Sequence, residues 1–488
     1  MYTGSGFKDW EIGDIEVFKE GDTYHLFHLI IPNHDYIAHA VSEDGINWRR
    51  VKNALFVGHP GEWDDDMLWT MDVSEYEGGY EMYYTGLRLA HKGVIQKIGR
   101  ATSQDLYDWE KENNYNLPLA SDGPYYEGPS NNPRTWLSFR DPYKFMHEGD
   151  SYLLFCARNS QGPTSRRGCV GKAKLVDDQW VLQKPLLFPF AYDDIECPCL
   201  VKVHDRFYLI GSIREDIKVR YWYSDEFEGE YKSFHSDVLM PQGNYAARII
   251  EDGEHLLVYN FYFLEREINY KRVLPPPKEL GVDDQGRLYL KSFYGWTQNI
   301  NSKVGQADFA DVIPLFRNPN AQMRLTDDKW TFHSTSGYEI YAFHSPADDF
   351  IWEGMLHLEG MGKSGFVLKM DDEGNGYFIS MDFVNGFVQI RRWGFNPHDY
   401  HNNFTFDNLQ TGIFEPATDR KIQFRLICYG YYFELSIDGR IVLTLVDYHF
   451  EGNKIGLYSA SSILSLSESE IIILDSPEIE YAITDAGG

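Results

Sequence analysis

Apolar and polar residues alternate in short runs along most of the chain. The stretches "TYHLFHLII", "YIAHAVS" and "GYEMYYTGL" each approach a two-residue period, and each is bounded by Gly, Asp or Asn. Such a period puts successive side chains on opposite faces and predicts β-strands. A period near that of a helix is almost absent.

The runs fall into a repeat. "DIEVFKEGDTYHLFHL" is followed by "IAHAVSEDGINWRRV", and "DVSEYEGGYEMYYTGL" by "IGRATSQDLYDWEK". "DPYKFMHEGDSYLLFCAR" precedes "GCVGKAKLVDDQWVL", and "ECPCLVKVHDRFYLIGS" precedes "VRYWYSDEFEGEYKSF". Each unit reads acid, strand, Gly/Asp turn, aromatic strand, loop, strand, and usually a last strand. A four-stranded antiparallel unit of this kind cannot bury both its faces alone, so its repetition predicts a β-propeller. A fifth, weaker unit starts at "GNYAARIIEDGEHLLVYNFYF". The expected fold is all-β: a five-bladed β-propeller over residues 1–297, then a β-sandwich over 298–488. After "LPPPKELGVDDQGRLYLKSFYGW" the acid-first pattern stops. Strands such as "KIQFRLICYGYYFELSIDGRIVLTLVDY" continue, with Asp438-Gly439 as a hairpin turn.

The first strand of each blade lines a propeller's central channel. Asp14, Asp141 and Glu196 each open such a strand, and Asp72 holds that place in the second repeat. A carboxylate buried without a partner costs several kcal/mol or changes its protonation state. A wet channel where these acids converge explains why they interrupt apolar runs.

The bulk numbers narrow the function. A chain of 488 residues exceeds one ordinary core and implies two domains. A formal net charge of −29 repels phosphate backbones and anionic lipid, so neither nucleic acid nor a membrane surface is expected as a partner. No apolar run is long enough to span a bilayer, and the first residues carry neither a basic nor an apolar leader segment, so a cytoplasmic location is expected. The five cysteines form no framework and read as reduced and buried. Cys197 and Cys199 lack a second pair to complete a zinc site, and "EWDDDM" lacks calcium-ligand spacing. No metal and no cofactor is expected.

At "SFRDPYKF" and "IECPCLVKV" the chain resembles glycoside hydrolase family 32, the invertases, inulinases and levanases, through that family's R-D-P and E-C-P motifs. "IAHAVSEDGINW", "GNYAARI" and "PKELGVDDQGRLYLK" are similar to further stretches of the family, so the resemblance covers most of the chain. It implies a five-bladed propeller joined to a C-terminal sandwich. It implies Asp14 as nucleophile, Glu196 as acid/base, and Asp141, preceded by Arg140, as the aspartate that binds sugar hydroxyls and stabilises the transition state. Trp69, Asp72, His28 and Tyr245 are the further candidates for substrate contact.

Three departures bear on substrate. The family's W-M-N-D-P-N-G stands here as "WEIGDIEVF", with Gly13 where the Asn would be. Its Y-H-L-F-Y-Q becomes "YHLFHL", with Leu29 for the Gln. Its F-S-G-S stretch is replaced by "WTMDVSEY". The first motif also resembles the related family 43 of arabinosidases and xylosidases. Glycoside cleavage needs one protonated and one ionised carboxyl group flanking the bond. Asp14 and Glu196 on different blades fit that need. The expected activity is hydrolysis of β-linked furanosides, foremost fructosides, with retention and with a short oligosaccharide rather than sucrose as preferred substrate. The alternatives are a fructosyltransferase, a family 43-like arabinofuranosidase, or a glycan-binding propeller without chemistry. The sandwich is the surface expected to carry any homo-oligomer contact.

Overall fold

The computed structural model describes residues 1–4, 11–112, 117–121, 123–263, 272–309, 311–395 and 403–476. It divides into two compact units, Met1–Leu288 and Tyr289–Pro477.

The first unit contains five antiparallel sheets in chain order, each built from sequence-adjacent strands. Their first strands are Glu11–Glu20, Met67–Tyr76, Phe139–His147, Glu196–Val203 and Asn244–Asp252. Each of these contacts the next, and the fifth contacts the first, which closes a five-bladed ring. Closure is also polar: Lys19 and the Tyr24 hydroxyl of the first blade both reach the Asp252 carboxylate of the fifth. Apolar side chains fill the space between blades. Leu154 and Val170 of the third blade share a buried cluster with Leu209 and Trp222 of the fourth.

Every first strand is interrupted by a one-residue bulge at the same level. The ladder skips between Ile12 and Ile15, Trp69 and Met71, Arg140 and Tyr143, Glu196 and Cys199, and Tyr245 and Arg248. A bulge re-aims the side chains around it and frees backbone groups from the ladder. In three blades the residue at the bulge is left-handed: Asp141 at φ 58°, Cys197 at 48° and Ala246 at 50°. The amide freed at each is taken up by a side chain of the preceding blade. Asp141 N donates to Thr85 Oγ1 at 3.1 Å, Cys197 N to Asp141 Oδ2 at 3.0 Å, and Ala246 N to Ser212 Oγ at 2.9 Å. The blades are thus keyed to one another at the level where the acids lie.

In the second unit the two expected layers are parts of one curled sheet. The 21-residue strand Lys454–Leu474 joins them. Lys363–Met370 pairs with its residues 454–460, and Phe350–Glu359 with its residues 463–473. The core lies between the diverging layers, where Phe366 packs against Trp352 and Phe424 with ring centroids 5.5 and 4.8 Å apart.

Candidate active site

A cavity of about 250 Å³ opens where the inner strands meet, and Asp14, Asp141 and Glu196 all line it. The three acids reach it from three blades by different local routes. Asp14 follows Gly13 inside the first bulge and accepts a hydrogen bond from Thr70 Oγ1 of the second. Asp141 lies in the third bulge and is 2 % exposed. Glu196 is the last residue before the fourth bulge, paired opposite Ser212.

The carboxylates are close and differently supported. One oxygen of Asp14, one of Asp141 and the Cys197 sulfur lie within 4.8 Å of one another. Among the described residues this is a group whose donor atoms could approach a cation. Burial, with Asp14 and Asp141 adding, holds the Cys197 thiol well above its ordinary pKa, so it stays a neutral thiol rather than a soft anionic ligand. Burial likewise pushes Asp141 up to about 7, against the lowering effect of Arg140 and with Asp14 and Glu196 adding to the rise. Glu196 is held on both oxygens: Arg140 Nη2 donates to Oε1 at 2.5 Å, and the Tyr245 hydroxyl donates to Oε2. Arg140 also donates to Asp194 Oδ2 at 2.9 Å, and its Nε lies 3.7 Å from Asp141.

A second, larger cavity of about 820 Å³ adjoins the first and shares Trp69, Arg140, Glu196 and Arg214 with it. Asp14 and Asp141 line only the inner one. Glu196 therefore stands at the passage between the inner recess and the outer space.

Of the sequence-derived candidates, the structure brings together Asp14, Asp141, Glu196, Arg140, Trp69 and Tyr245. It places Asp72 and His28 elsewhere. Asp72 lies beyond the second bulge, opposite Tyr83, at the level of Glu16 and Lys144 in the neighbouring blades. There its Oδ2 accepts the Lys144 amide at 2.9 Å, beneath the cavity rather than in it. Aligning the repeats on their acids puts Asp72 level with Asp14; aligning them on their bulges shows it deeper. His28 is fully buried, with Nε2 at 2.7 Å from the Tyr2 hydroxyl and 3.1 Å from Arg50. Leu29 and Ile31 on the same strand line the cavity instead, because strand neighbours face opposite ways.

Leu29 and Ile31 also account for Gly13. A Cβ at position 13 would come within 2.9 Å of Leu29 Cβ and 3.0 Å of Ile31 Cδ1. A side chain at position 13 thus has no room while the neighbouring strand stays in place, and Leu29 and Ile31 make that side of the recess apolar.

The sequence reading missed several groups. His34, Arg214 and Arg272 bring cationic or ionisable groups to the inner cavity, and Phe261 and Phe263 give it an aromatic wall. Phe261 had a signal, since it stands across the ladder from Tyr245. Asp194 had another, two residues ahead of Glu196. The arginines had none, since each leaves a blade at a strand end or loop.

Beneath the site lies fully buried Arg248. Its Nε pairs with Glu16 at 2.8 Å, and its Nη1 donates to the carbonyls of Cys197 and Pro198 at 3.1 and 3.3 Å. It thereby fixes the bulge that directly follows Glu196.

Comparison with known proteins agrees with this architecture. The family model described as "Glycosyl hydrolases family 32 N-terminal domain" matches residues 16–261. No curated protein sequence matches the chain. Among solved structures, sucrose-6-phosphate hydrolase from Lactobacillus gasseri superposes with a TM-score of 0.69 at 16% identity, covering 95% of this chain and 91% of that one. Fructan 1-exohydrolase IIa from Cichorium intybus, in complex with 1-kestose, gives 0.68 at 13% identity over 96% of both chains. Exo-inulinase from Aspergillus awamori gives 0.67 at 13% identity over 95% of this chain and 96% of its own. Identities this low speak for a shared fold.

Proposed function

The chain belongs to glycosyl hydrolase family 32, and from that premise we propose that it hydrolyses short β-linked fructosides by a two-step displacement with retention. The observation that carries the reading is the position of Glu196. It alone of the three acids lines both cavities, so it faces the bond between a sugar in the inner recess and a leaving group in the outer one.

The roles rest on that geometry. Glu196 gives a proton to the glycosidic oxygen as the bond to the anomeric carbon breaks. Asp14 attacks that carbon and forms a glycosyl ester. Glu196 then takes a proton from water, which attacks the ester and releases the sugar and Asp14. Asp141, raised to about 7 by burial, exchanges hydrogen bonds with ring hydroxyls, donating when protonated and accepting when ionised. Arg140 and Tyr245 keep both oxygens of Glu196 aimed at the passage.

Leu29 and Ile31 supply no hydrogen bond on their side of the recess. A site that lacks a polar partner for a hydroxyl loses the discrimination such a partner gives, as much as about 10⁴–10⁵. That loss bears on the ring in the recess. On the leaving-group side, the outer cavity of about 820 Å³ leaves room for more than one further ring, which supports a short fructo-oligosaccharide over sucrose as the preferred substrate.

The test compares sucrose, short fructo-oligosaccharides, difructose anhydrides and aryl arabinofuranosides by kcat/KM, with the anomer of the first product followed by NMR. Short fructo-oligosaccharides are expected to lead, with the β-anomer released first. Turnover confined to arabinosides would overturn the substrate, and inversion would overturn the mechanism.

A further inference from the structure

Trp136 stands in the outer cavity with 42% of its surface exposed. It belongs to the loop that leads into the third blade, and that loop is pinned around it. Asn132 Nδ2 donates to the carbonyls of Arg134 and Trp136 at 2.9 and 3.0 Å. Leu137 is buried, and its amide donates to the Val94 carbonyl at 2.7 Å. One face of the indole is covered by the Arg134 guanidinium, 4.6 Å from the ring centroid. That guanidinium is anchored in turn to Asp193 at 2.7 Å and Ser138 Oγ at 2.6 Å. Ser138 Oγ donates to Asp194, the carboxylate that also receives Arg140.

An indole braced in this way loses little freedom when a ligand covers its exposed surface. Aromatic faces suit the C–H faces of sugar rings, and the cavity around Trp136 lies on the leaving-group side of Glu196. We propose that Trp136 is the stacking platform for the second sugar ring of the substrate, so that the leaving group is itself a sugar or a short chain of them. The proposal rests on the hydrolase reading above, which places the leaving group in the outer cavity. The hydrogen-bonded chain Arg134–Ser138–Asp194–Arg140–Glu196 sets the platform in a fixed relation to the acid. A ring docked on it presents its glycosidic oxygen to Glu196.

The experiment uses methyl β-D-fructofuranoside, whose leaving group is too small to reach Trp136, and an inulin-type trisaccharide. For wild type, Trp136→Ala and Trp136→Phe, the ratio of kcat/KM between trisaccharide and methyl glycoside is measured. The Ala variant is expected to lower that ratio about tenfold, through KM for the trisaccharide, and the Phe variant to restore most of it. An unchanged ratio, or parallel loss on both substrates, would overturn the platform. Calorimetric titration of the trisaccharide into Glu196→Gln, with and without Trp136→Ala, reads the same subsite without turnover. About tenfold weaker binding is expected, and equal affinity or no binding in either protein overturns the proposal. Wild type that binds through Trp136 but cleaves no fructoside would overturn the hydrolase reading and leave the platform standing.

Discussion

Arg140 Nη2 lies 2.5 Å from Glu196 Oε1 and 2.9 Å from Asp194 Oδ2, so one guanidinium ties the R-D-P strand to the E-C-P strand. A lysine at this position carries the charge but cannot bridge two carboxylates in a plane. Losing one charge-assisted hydrogen bond costs about 1.5–3 kcal/mol. Arg140→Lys is expected to lower kcat/KM by roughly 10–100-fold on that basis. Activity of this variant close to wild type would show that Tyr245 alone suffices to aim Glu196.

Glu196→Gln removes the proposed proton donor while keeping the shape and a hydrogen-bonding oxygen. General acid–base catalysis contributes roughly 10²–10⁴-fold, so kcat on a trisaccharide is expected to fall within that range. An aryl fructoside whose leaving group needs no proton should suffer less in its first step. Equal loss on both substrates would place Glu196 outside the acid role.

The charged layer under the cavity makes stability depend on pH in a definite direction. Burial first, then Glu81, raises Asp72 from 3.8 to about 6, and burial raises Glu16 well above its usual range despite Arg248. A carboxyl group raised in the folded state favours folding while protonated. That contribution is fully present below about pH 4 and is lost as pH rises through about 6. Asp72→Asn removes the titration but keeps an oxygen for the Lys144 amide. Its melting temperature relative to wild type is expected to rise between pH 4 and pH 7. A difference that stays flat or falls across that window would show that Arg248 and Lys144 hold Asp72 ionised throughout.

Gly13 has no room for a side chain against Leu29 and Ile31. Overpacking of this kind typically costs about 1–3 kcal/mol. Gly13→Ala is therefore expected to lower the melting temperature and, because Asp14 is adjacent, to reduce kcat as well. An unchanged melting temperature would mean that the neighbouring strand moves aside at little cost, and that the family's Asn could be restored here.

Much of this was legible in the sequence, and the limits are physical. The two-residue period and the acid-first repeat determined strands, their grouping in fours and the propeller, because alternation and turn residues are local properties. The motif neighbours Arg140-Asp141 and Glu196-Cys197 marked the third and fourth blades as carriers of chemistry. What the sequence could not decide was which way each side chain points at the bulge. One extra residue in a strand reverses the faces beyond it, so Asp72 reads as the partner of Asp14 when the repeats are aligned and lies a level deeper in the ring. His28 and Leu29 show the same ambiguity one residue apart. Tertiary structure alone supplied the long-range pairings: Tyr245 on Glu196, Arg248 under Cys197, Thr70 on Asp14. Each joins residues from different blades, and no local pattern encodes a contact that exists only once the ring has closed.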